Sequence, residues 1–398
     1  MDGNGVIVAG AGPVGLVAAT LLAGQGIPVT LVEAERTLPD DLRASTFHPA
    51  TMDLLQPLGV TERLVEEGLV CPHWQFRDRR EGVVATFDLG RLSADTGHPY
   101  RLQCEQWRLT RMLRDRLAGN PDVRILYGTR AVAARQDADH AYLAVEHEGG
   151  EAETLRARYV IGADGARSAV RKSLDVEFEG MTIPEIFLSL STPFRFDEAV
   201  PDLANIAYIS DPEEWLVLLR TRSVWRVLIP VDPGKSDAEI TDPAFMEAKL
   251  QAVQPAPHPY AVAHRTAYRV HERVASRYVV GRILLAGDAA HLNNPLGGMG
   301  MNGGIQDAVN LAGKLGEVWR GAAPELLGRY ERQRRKVALE VVQQQSLRNR
   351  AILNQRDPAQ RRAYHDELRA IADDPVRHRE YVLRSSMIQS LRDLEAVA

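Results

Sequence analysis

The residues with the clearest chemical meaning form a glycine-rich turn near the start of the chain. The apolar segment VIVAG leads into Gly10-Ala11-Gly12-Pro13-Val14-Gly15, and a second apolar segment ends at Glu33. Gly10 would permit a tight turn, Gly12 would let a pyrophosphate approach the backbone, and Gly15 would let helix and strand pack closely. The N–H groups at the helix start suit phosphates, and Glu33 stands where an acid binds ribose hydroxyls. The pattern predicts a dinucleotide site without distinguishing FAD from NAD.

A second glycine motif, YVIGADGARSAVR, spans residues 159–171. An apolar strand ends in Gly162-Ala163-Asp164-Gly165, and a helix that carries Arg167 and Arg171 follows. Taken alone, the motif is also compatible with a plain strand-to-helix turn that has Ser168 near the N-cap.

The third motif, GRILLAGDAAHLNNPLGGMGMNGGIQDA, begins at Gly281. Asp288 follows an apolar strand and could accept hydrogen bonds from ribityl hydroxyls, although it could also be a turn residue. Glycines 297, 298 and 300 would let a loop lie against a flat ring and offer N–H donors where the next helix starts. His291 is interpreted as a packing or capping residue rather than a base.

Together, the three motifs in this order resemble the FAD-dependent aromatic hydroxylases of the p-hydroxybenzoate hydroxylase type, which are single-component flavoprotein monooxygenases. The GDAAH…P-x-x-G-x-G-x-N…DA form is most similar to the branch of hydroxyphenylpropionate hydroxylases and polyketide-tailoring oxygenases. The resemblance covers roughly residues 5–350. It implies that the first motif binds the ADP part of FAD and that the third binds the ribityl chain and the flavin ring.

The resemblance also implies site residues. Those expected to bind FAD are Gly10, Gly12, Pro13, Val14, Gly15, Glu33, Ala34, Arg43, Gln106, Asp164, Asp288, Pro295, Gly298, Gly300, Met301 and Asn302. Two of them have simpler alternatives, because Arg43 could be a solvated charge and Gln106 the first residue of a helix.

The chemistry implied by the resemblance is hydroxylation of a phenolic or hydroxylated heteroaromatic ring. NADH or NADPH would bind transiently and reduce the flavin, which would react with O2 to give a C4a-hydroperoxide. His48 and Tyr208 are candidate catalytic residues. Candidate substrate residues are Trp215, Arg220, Trp225 and Arg226, although strand residues of these types are more often sheet core or solvated face.

The elements that must position these residues alternate between strand and helix, with an antiparallel insertion. The pattern predicts an α/β fold: a Rossmann-like FAD-binding domain, an inserted antiparallel-sheet substrate domain and a helical C-terminus. The expected boundaries are 1–70, 101–177 and 276–325 for the FAD-binding domain, 71–100 and 178–275 for the substrate domain, and 326–398 for the helical region. A single helical pattern is expected over residues 49–68.

Composition narrows the class of protein. A net charge of -5 argues against nucleic-acid binding, and the longest apolar run, residues 14–23, is too short to span a bilayer. The two cysteines, Cys71 and Cys104, have no metal-ligand spacing, which favours a reducing, cytoplasmic location. The C-terminal helices could cover the FAD domain or form a dimer contact, so a monomer or a homodimer is expected.

Three rival functions differ in how well they fit. A flavin-dependent halogenase would need a W-x-W-x-I-P signature and an early lysine, whereas this chain has Trp225-Arg226-Val227-Leu228-Ile229-Pro230 and no lysine before Lys172. Epoxidation or Baeyer–Villiger oxidation by the same flavin chemistry stays open, because the difference would lie in pocket shape. A flavin-binding regulatory or structural protein is disfavoured by the complete set of FAD motifs.

Overall fold

A computed structural model of the chain describes residues 3–40, 42 and 44–398. The strands, in chain order, are β1 (Val6–Ala9), β2 (Val29–Val32), β3 (Thr46–Phe47), β4 (Leu69–Cys71), β5 (His73–Asp78), β6 (Gly82–Asp88), β7 (Arg101–Gln103), β8 (Val123–Leu126), β9 (Thr129–Gln136), β10 (Ala141–His147), β11 (Ala152–Ala157), β12 (Tyr159–Gly162), β13 (Phe178–Thr192), β14 (Ile206–Ser210), β15 (Leu216–Arg220), β16 (Trp225–Val231), β17 (His264–Ala275), β18 (Val279–Val280), β19 (Ile283–Leu285) and β20 (His291–Leu292).

The helices follow the same numbering along the chain. They are α1 (Pro13–Ala23), α2 (Pro49–Leu55), α3 (Thr61–Glu67), α4 (Gln106–Leu117), α5 (Ala169–Lys172), α6 (Phe196–Ala199), α7 (Asp237–Ile240), α8 (Pro243–Val253), α9 (Gly300–Trp319), α10 (Leu326–Lys336), α11 (Gln344–Leu353), α12 (Pro358–Asp373), α13 (Pro375–Ser385) and α14 (Ile388–Leu394). Between α10 and α11, residues Val337–Gln343 form a π-helix.

A largely parallel sheet contains the first motif. Its strand order is β18-β19-β12-β1-β2-β8, and every neighbouring pair is parallel except β18 with β19. The strands β1 and β12 are buried along their whole length, as expected where helices cover both faces of a parallel sheet. The helices α1 and α9 pack against each other beside this sheet.

A second, mostly antiparallel sheet has the order β20-β17-β13-β16-β15-β14-β5-β6, in which β14 and β5 pair in parallel. Seven of its eight strands come from the segments 71–100 and 178–275, and β20 comes from the segment that the sequence analysis assigned to the FAD-binding domain. Successive side chains of a strand point to opposite faces. Trp215 and Val217 therefore join a core shared with the C-terminal helices, whereas Leu216 and Leu218 join a core that includes residues of α8.

Two small sheets complete the framework, with the orders β11-β10-β9 and β3-β7-β4. The predicted fold class is confirmed: an α/β unit with a parallel sheet, an antiparallel sheet and a helical C-terminus. Among the described residues, no helix is both long and apolar enough to cross a membrane.

The expectation of one helical pattern over residues 49–68 is wrong in detail. The helix α2 ends at Leu55, a 3-10 turn covers Gln56–Leu58, and α3 begins at Thr61. Pro57 lacks the N–H that a continuing helix would need, and Gly59 adopts a left-handed conformation with φ of 65°. Both residues interrupt a periodic apolar pattern that by itself indicated one helix.

Candidate cofactor cleft and substrate cavity

The three glycine motifs meet at one edge of the parallel sheet. The strands β1, β12 and β19 are neighbours, and the turn of each motif follows the carboxyl end of one of them. Backbone hydrogen bonds join these ends: Ala163 donates to Ala9 at 2.9 Å, and Ala286 donates to Gly162 at 3.0 Å. In open α/β sheets, ligands bind in the crevice at this edge. Residues more than 270 positions apart in the chain therefore border one cleft.

The first motif has the backbone geometry that its glycines predict. Gly10 has φ of 99°, and a Cβ there would overlap the carbonyl oxygen of Ala163. A Cβ on Gly15 would overlap the carbonyl oxygen of Gly10 in the same way. At Gly12, by contrast, nothing lies within 4 Å of a hypothetical Cβ, so the backbone faces open space at the start of α1, where Pro13 is the first helical residue. Open space in front of free helix N–H groups fits a pyrophosphate.

Glu33 lies beside this turn. Its Oε2 accepts the N–H of Ala11 at 2.8 Å, and its Oε1 accepts the N–H of Glu35 at 3.0 Å. Ala34 follows it and borders an open surface depression with Gly128. The carboxylate therefore supports the glycine turn as well as standing at the expected ribose position.

The aspartate of the second motif, Asp164, accepts hydrogen bonds from residues at the start of the next helix. Asp164 Oδ2 accepts the N–H groups of Ala169 and Val170 at 2.7 and 3.1 Å, and Oδ1 accepts the hydroxyl of Ser168. Ser168 in turn caps α5 by accepting the N–H of Arg171. These contacts support the capping interpretation of the motif, and they give Asp164 a structural task whether or not it also contacts a cofactor.

The third motif presents an exposed Asp288 in a 3-10 turn, Gly287–Ala289, whose other two residues are buried. Gly287 has φ of 63° and packs against Val14 of the first motif, which would obstruct any Cβ. Arg171 donates to the carbonyl oxygen of Ala289 at 2.9 Å and thus connects the second motif to the third.

A buried charge network holds this turn from behind. Asp307, which is fully buried, accepts the N–H of Gly287 at 3.0 Å through Oδ2, to which His291 also bonds at 2.7 Å. Arg334 of α10 binds the other oxygen, Oδ1, at 2.6 Å. His291 is therefore held in the interior by Asp307, and its interpretation as a packing or capping residue stays a prediction.

The proline-glycine loop after His291 contains Pro295 and leads into α9. Gly297 and Gly298 have φ of 97° and 66°, and Gly300 and Met301 begin the helix. Asn302 donates to the carbonyl oxygens of Thr46 and Gly298 at 2.8 and 2.7 Å and accepts the N–H of His48 at 2.9 Å. Asn302 thus holds the loop against β3, and both of its donors are already used within the protein.

These features fit FAD. The open backbone at Gly12 suits the pyrophosphate, and Asp288 is exposed beside it. The contacts of Val14 with Gly287 and Gly304 place the first and third motifs side by side, so one extended cofactor can touch both. Of the remaining predicted residues, Gln106 is half-buried at the start of α4, and its N–H donates to Ala44. Arg43 lies outside the described residues.

A separate cavity lies between the antiparallel sheet, the proline-glycine loop and the C-terminal helices. Its walls are mostly apolar and aromatic. They are formed by Trp74, Phe76, Arg101, Tyr208, Gly297, Met299, Gln345, Asn349, Ile352, Leu353, Leu368, Tyr381 and Ser385. The aromatic rings pack together: Trp74 stacks on Phe87 with centroids 4.4 Å apart and meets Tyr208 edge-on at 5.5 Å.

The two candidate catalytic residues differ in position. Tyr208 lines the cavity, and its hydroxyl accepts a long hydrogen bond from Arg101 at 3.4 Å. His48 is fully buried behind the loop, with Nε2 2.8 Å from the carbonyl oxygen of Gly297. Burial, assisted by the charge of Arg101, lowers the pKa of His48 to about 3. The imidazole is therefore neutral at physiological pH, donates through Nε2, and is a weak base.

The four candidate substrate residues separate by sheet face. Trp225 packs in the core on the α8 side and donates to Asp197 at 3.2 Å, and Arg220 pairs with the same carboxylate at 2.9 Å. Neither residue lines the cavity. Trp215 is buried in the core on the cavity side, and Arg226 donates to Ser45 at 2.9 Å, but they too lie behind the wall. The structure thus brings only Tyr208 of the predicted sheet residues to the cavity.

The sequence is similar to a family of FAD-binding proteins and to enzymes of known activity. The sequence profile of the FAD binding domain family matches residues 4–345. The chain belongs to this family. The para-nitrophenol 4-monooxygenase of Pseudomonas sp. strain WBC-3 is 34% identical, and the alignment covers 98% of this chain and 95% of that protein. The 6-hydroxy-3-succinoylpyridine 3-monooxygenase HspB of Pseudomonas putida strain S16 is 31% identical over 94% of this chain and 95% of that protein.

A solved member of the family has the same fold. The crystal structure of p-nitrophenol 4-monooxygenase PnpA from Pseudomonas putida DLL-E4 superposes with a TM-score of 0.92 at 31% identity and covers 98% of each chain. The predictions of FAD as cofactor and of flavin-dependent aromatic hydroxylation are confirmed at the level of the family.

Several residues of both sites were not predicted from the sequence. Arg101, Tyr381 and Ser385 line the cavity, and Asp307 supports the cofactor turn. The QDA at the end of the third motif contains Asp307 and was the available signal for it. Arg101 gave a weaker signal, a charged residue in a short segment at the border between two predicted domains.

Proposed function

We propose that this protein uses FAD to hydroxylate the ring of a small phenolic or hydroxylated heteroaromatic compound with one oxygen atom of O2, with NADH or NADPH as the reductant. The observation that carries the proposal is the position of the cavity. Gly297 and Met299 belong both to its wall and to the loop that the family resemblance places beside the flavin ring.

The lining of the cavity supports an aromatic ring as the substrate. Small-molecule sites are mostly apolar with a few placed polar groups, as this wall is. Trp74, Tyr208 and Tyr381 offer ring faces and edges against which an aromatic substrate can pack.

The names of two relatives also support this class. One is described as acting on para-nitrophenol and the other on 6-hydroxy-3-succinoylpyridine, and both names specify a hydroxyl group on a six-membered aromatic ring. The proposal takes from them the class, a hydroxylated ring, rather than either compound.

Each part of the chain has a defined task in this proposal. Bound FAD would supply the redox chemistry, accepting hydride from the reduced nicotinamide and activating O2. Gly12 and Asp288 would hold the cofactor, Asn302 would keep the loop in place, and the apolar wall would exclude water. Tyr208 would orient the substrate together with the neighbouring Arg101.

Three further expectations remain proposals. We place the protein in the cytoplasm, which is supported by two buried free cysteines, Cys71 and Cys104. We propose a monomer or a homodimer, and we keep the three-part domain division with boundaries near residues 71, 101, 178, 276 and 326.

The proposal is tested with the FAD-loaded enzyme. Phenols, beginning with 4-nitrophenol, are screened for stimulated oxidation of NADH or NADPH, and the reaction is repeated under 18O2. We expect one 18O atom in the aromatic product. Failure to bind FAD after reconstitution, or consumption of the reductant with only peroxide formed across the whole panel, would overturn the proposal.

A further inference from the structure

The wall of the substrate cavity contains a buried positive charge. Arg101 of β7 is only 2% exposed, and its guanidinium lies 5.1 Å from the ring centroid of Trp74. An arginine guanidinium is a permanent cation in proteins.

The protein leaves most of this guanidinium without acceptors. Of five N–H donors, one reaches the hydroxyl oxygen of Tyr208 and another the carbonyl oxygen of Ser385, each at 3.4 Å. Nε has no partner among the described residues. Within the same part of the chain, no carboxylate forms an ion pair with Arg101. A buried charge without a partner is costly, so an anion that reached it would be bound strongly.

The titratable groups whose ionisation responds to Arg101 are neutral. Burial, with a smaller contribution from Arg101, lowers the pKa of His48 to about 3. Burial raises the pKa of Cys71 and of Tyr381 to about 12, and the charge of Arg101 only partly opposes this in each case. At neutral pH, the imidazole, the thiol and the phenol that interact electrostatically with Arg101 are uncharged, and none of them balances its charge.

Two other residues of the wall also carry unused polar atoms. The indole Nε1 of Trp74 and the hydroxyl of Ser385 are buried without a hydrogen-bond partner among the described residues. Native proteins rarely bury unsatisfied polar atoms, and here they accompany Arg101 in one cavity. The set points to a ligand that brings hydrogen-bond acceptors.

We propose that Arg101 binds the negatively charged oxygen of a phenolate, so that the cavity selects ionised phenols over neutral aromatic compounds of the same shape. This inference rests on the proposed function and names the ionic form of its substrate. The phenolic proton is released to solvent on binding. A phenolate ring is more electron-rich than its phenol, which favours attack on an electrophilic oxygen.

The test is a binding titration that needs no turnover. 4-Nitrophenol is its own probe, because only the phenolate absorbs strongly in the visible. Its ionisation is followed over pH with the oxidised, FAD-loaded enzyme, in the absence of NADH and NADPH. We expect the bound phenol to ionise about one pH unit or more below the free compound, which corresponds to a tenfold or greater preference for the phenolate.

Variants connect the effect to Arg101. Arg101→Met should weaken phenolate binding about tenfold or more and abolish the shift, whereas Arg101→Lys should keep part of it as a point charge. The matched control is Arg384→Met, which removes the same charge from the exposed side of α13, next to cavity residue Ser385, and should behave as wild type. Binding of 4-nitroanisole, the neutral methyl ether, should be the same in all four proteins.

An unchanged or raised ionisation point in the wild type, or no binding of 4-nitrophenolate, overturns the inference even if Arg101→Met does not fold. The inference is also overturned if a folded Arg101→Met variant binds 4-nitrophenolate as tightly as the wild type does. The proposed function is judged separately by 18O incorporation. If the enzyme incorporates 18O into its product but binds the neutral phenol, the proposed function stands and the proposed role of Arg101 is wrong.

Discussion

Asp307 and Arg334 form a fully buried ion pair, in which Nε of Arg334 lies 2.6 Å from Oδ1 of Asp307. The other carboxylate oxygen accepts the N–H of Gly287, the residue before Asp288. The first helix of the C-terminal region, α10, is thereby connected through one carboxylate to the turn that faces the cofactor. The stability of this helix packing and the retention of FAD should therefore change together.

Replacing Asp307 by Asn tests this relationship. The substitution keeps the size of the side chain but leaves the guanidinium of Arg334 buried without a counter-charge, which typically costs about 3–5 kcal/mol. We expect a large fall in the free energy of unfolding and weaker FAD retention, measured by denaturant titration and by flavin fluorescence. Asp366→Asn removes an exposed partner of Arg369 and should cost less than about 1 kcal/mol. Similar losses in the two variants would contradict the special role of the buried pair.

The ionisation of Asp307 predicts a loss of stability in acid. Burial acts to raise its pKa, but the charges of His291 and Arg334 and their hydrogen bonds bring the pKa below the usual value. Because the folded-state pKa is lower than the unfolded one, near 4, the unfolded chain binds the proton first as pH falls. The stabilisation should be complete at neutral pH and disappear below about pH 4. Asp307→Asn should flatten this part of the curve of melting temperature against pH.

His48 predicts a second acid transition at higher pH. Its pKa is about 3 in the folded protein and 6.5 in the reference state, so protonation of the unfolded chain removes stability progressively from about pH 6.5 downwards. His48→Gln keeps an N–H donor for Gly297 without titrating, and should reduce the slope between pH 6.5 and pH 4. His258→Gln, at an exposed site, is the control and should leave the curve unchanged. Parallel curves for wild type and His48→Gln would count against the buried neutral imidazole.

Two glycines of the first motif should respond differently to alanine. At Gly12 a methyl group would enter open space at an ordinary φ of -70°, so the fold should tolerate it while the approach of the pyrophosphate is obstructed. At Gly15 the same methyl would overlap the carbonyl oxygen of Gly10. We expect Gly12→Ala to keep the melting temperature of the apoprotein but weaken FAD binding about tenfold or more. Gly15→Ala should lower the melting temperature itself, by several degrees or more. A thermally destabilised Gly12→Ala apoprotein would contradict this assignment.

Asp288 should act on the cofactor rather than on the fold. Its side chain is exposed at the cleft, so Asp288→Ala should leave the unfolding free energy of the apoprotein within about 0.5 kcal/mol of wild type. FAD retention on gel filtration should fall. Unchanged retention would argue that Asp288 is a turn residue, the alternative that its sequence context left open.

The cofactor half of the protein was predictable because its signals are local. Each glycine motif is contiguous, and the steric requirement at Gly10 and Gly15 arises within a few residues of the turn or from the next strand. The resemblance to a known family then joined the motifs into one predicted FAD site, and family membership confirmed FAD as the cofactor. Even here, two sets of contacts could not be predicted from the motifs. Asn302 uses both of its N–H donors within the protein, and Asp164 accepts a backbone N–H at the start of α5.

The substrate half depended on the tertiary structure. In a strand, adjacent residues face opposite sides, so Trp225 and Arg226 could not both face one pocket, and only the packed sheet decides which face is the cavity side. Arg101 lines the cavity beside Ser385 of α13, which is 284 positions later in the chain. Only the packing of α13 against the sheet brings these two residues together. The sequence by itself determined the fold class and a dinucleotide site, since local backbone geometry encodes them, and the family that its three motifs resemble identified the dinucleotide as FAD. The identity of the cavity wall was decided only by long-range packing, which brings together side chains that no spacing in the chain relates.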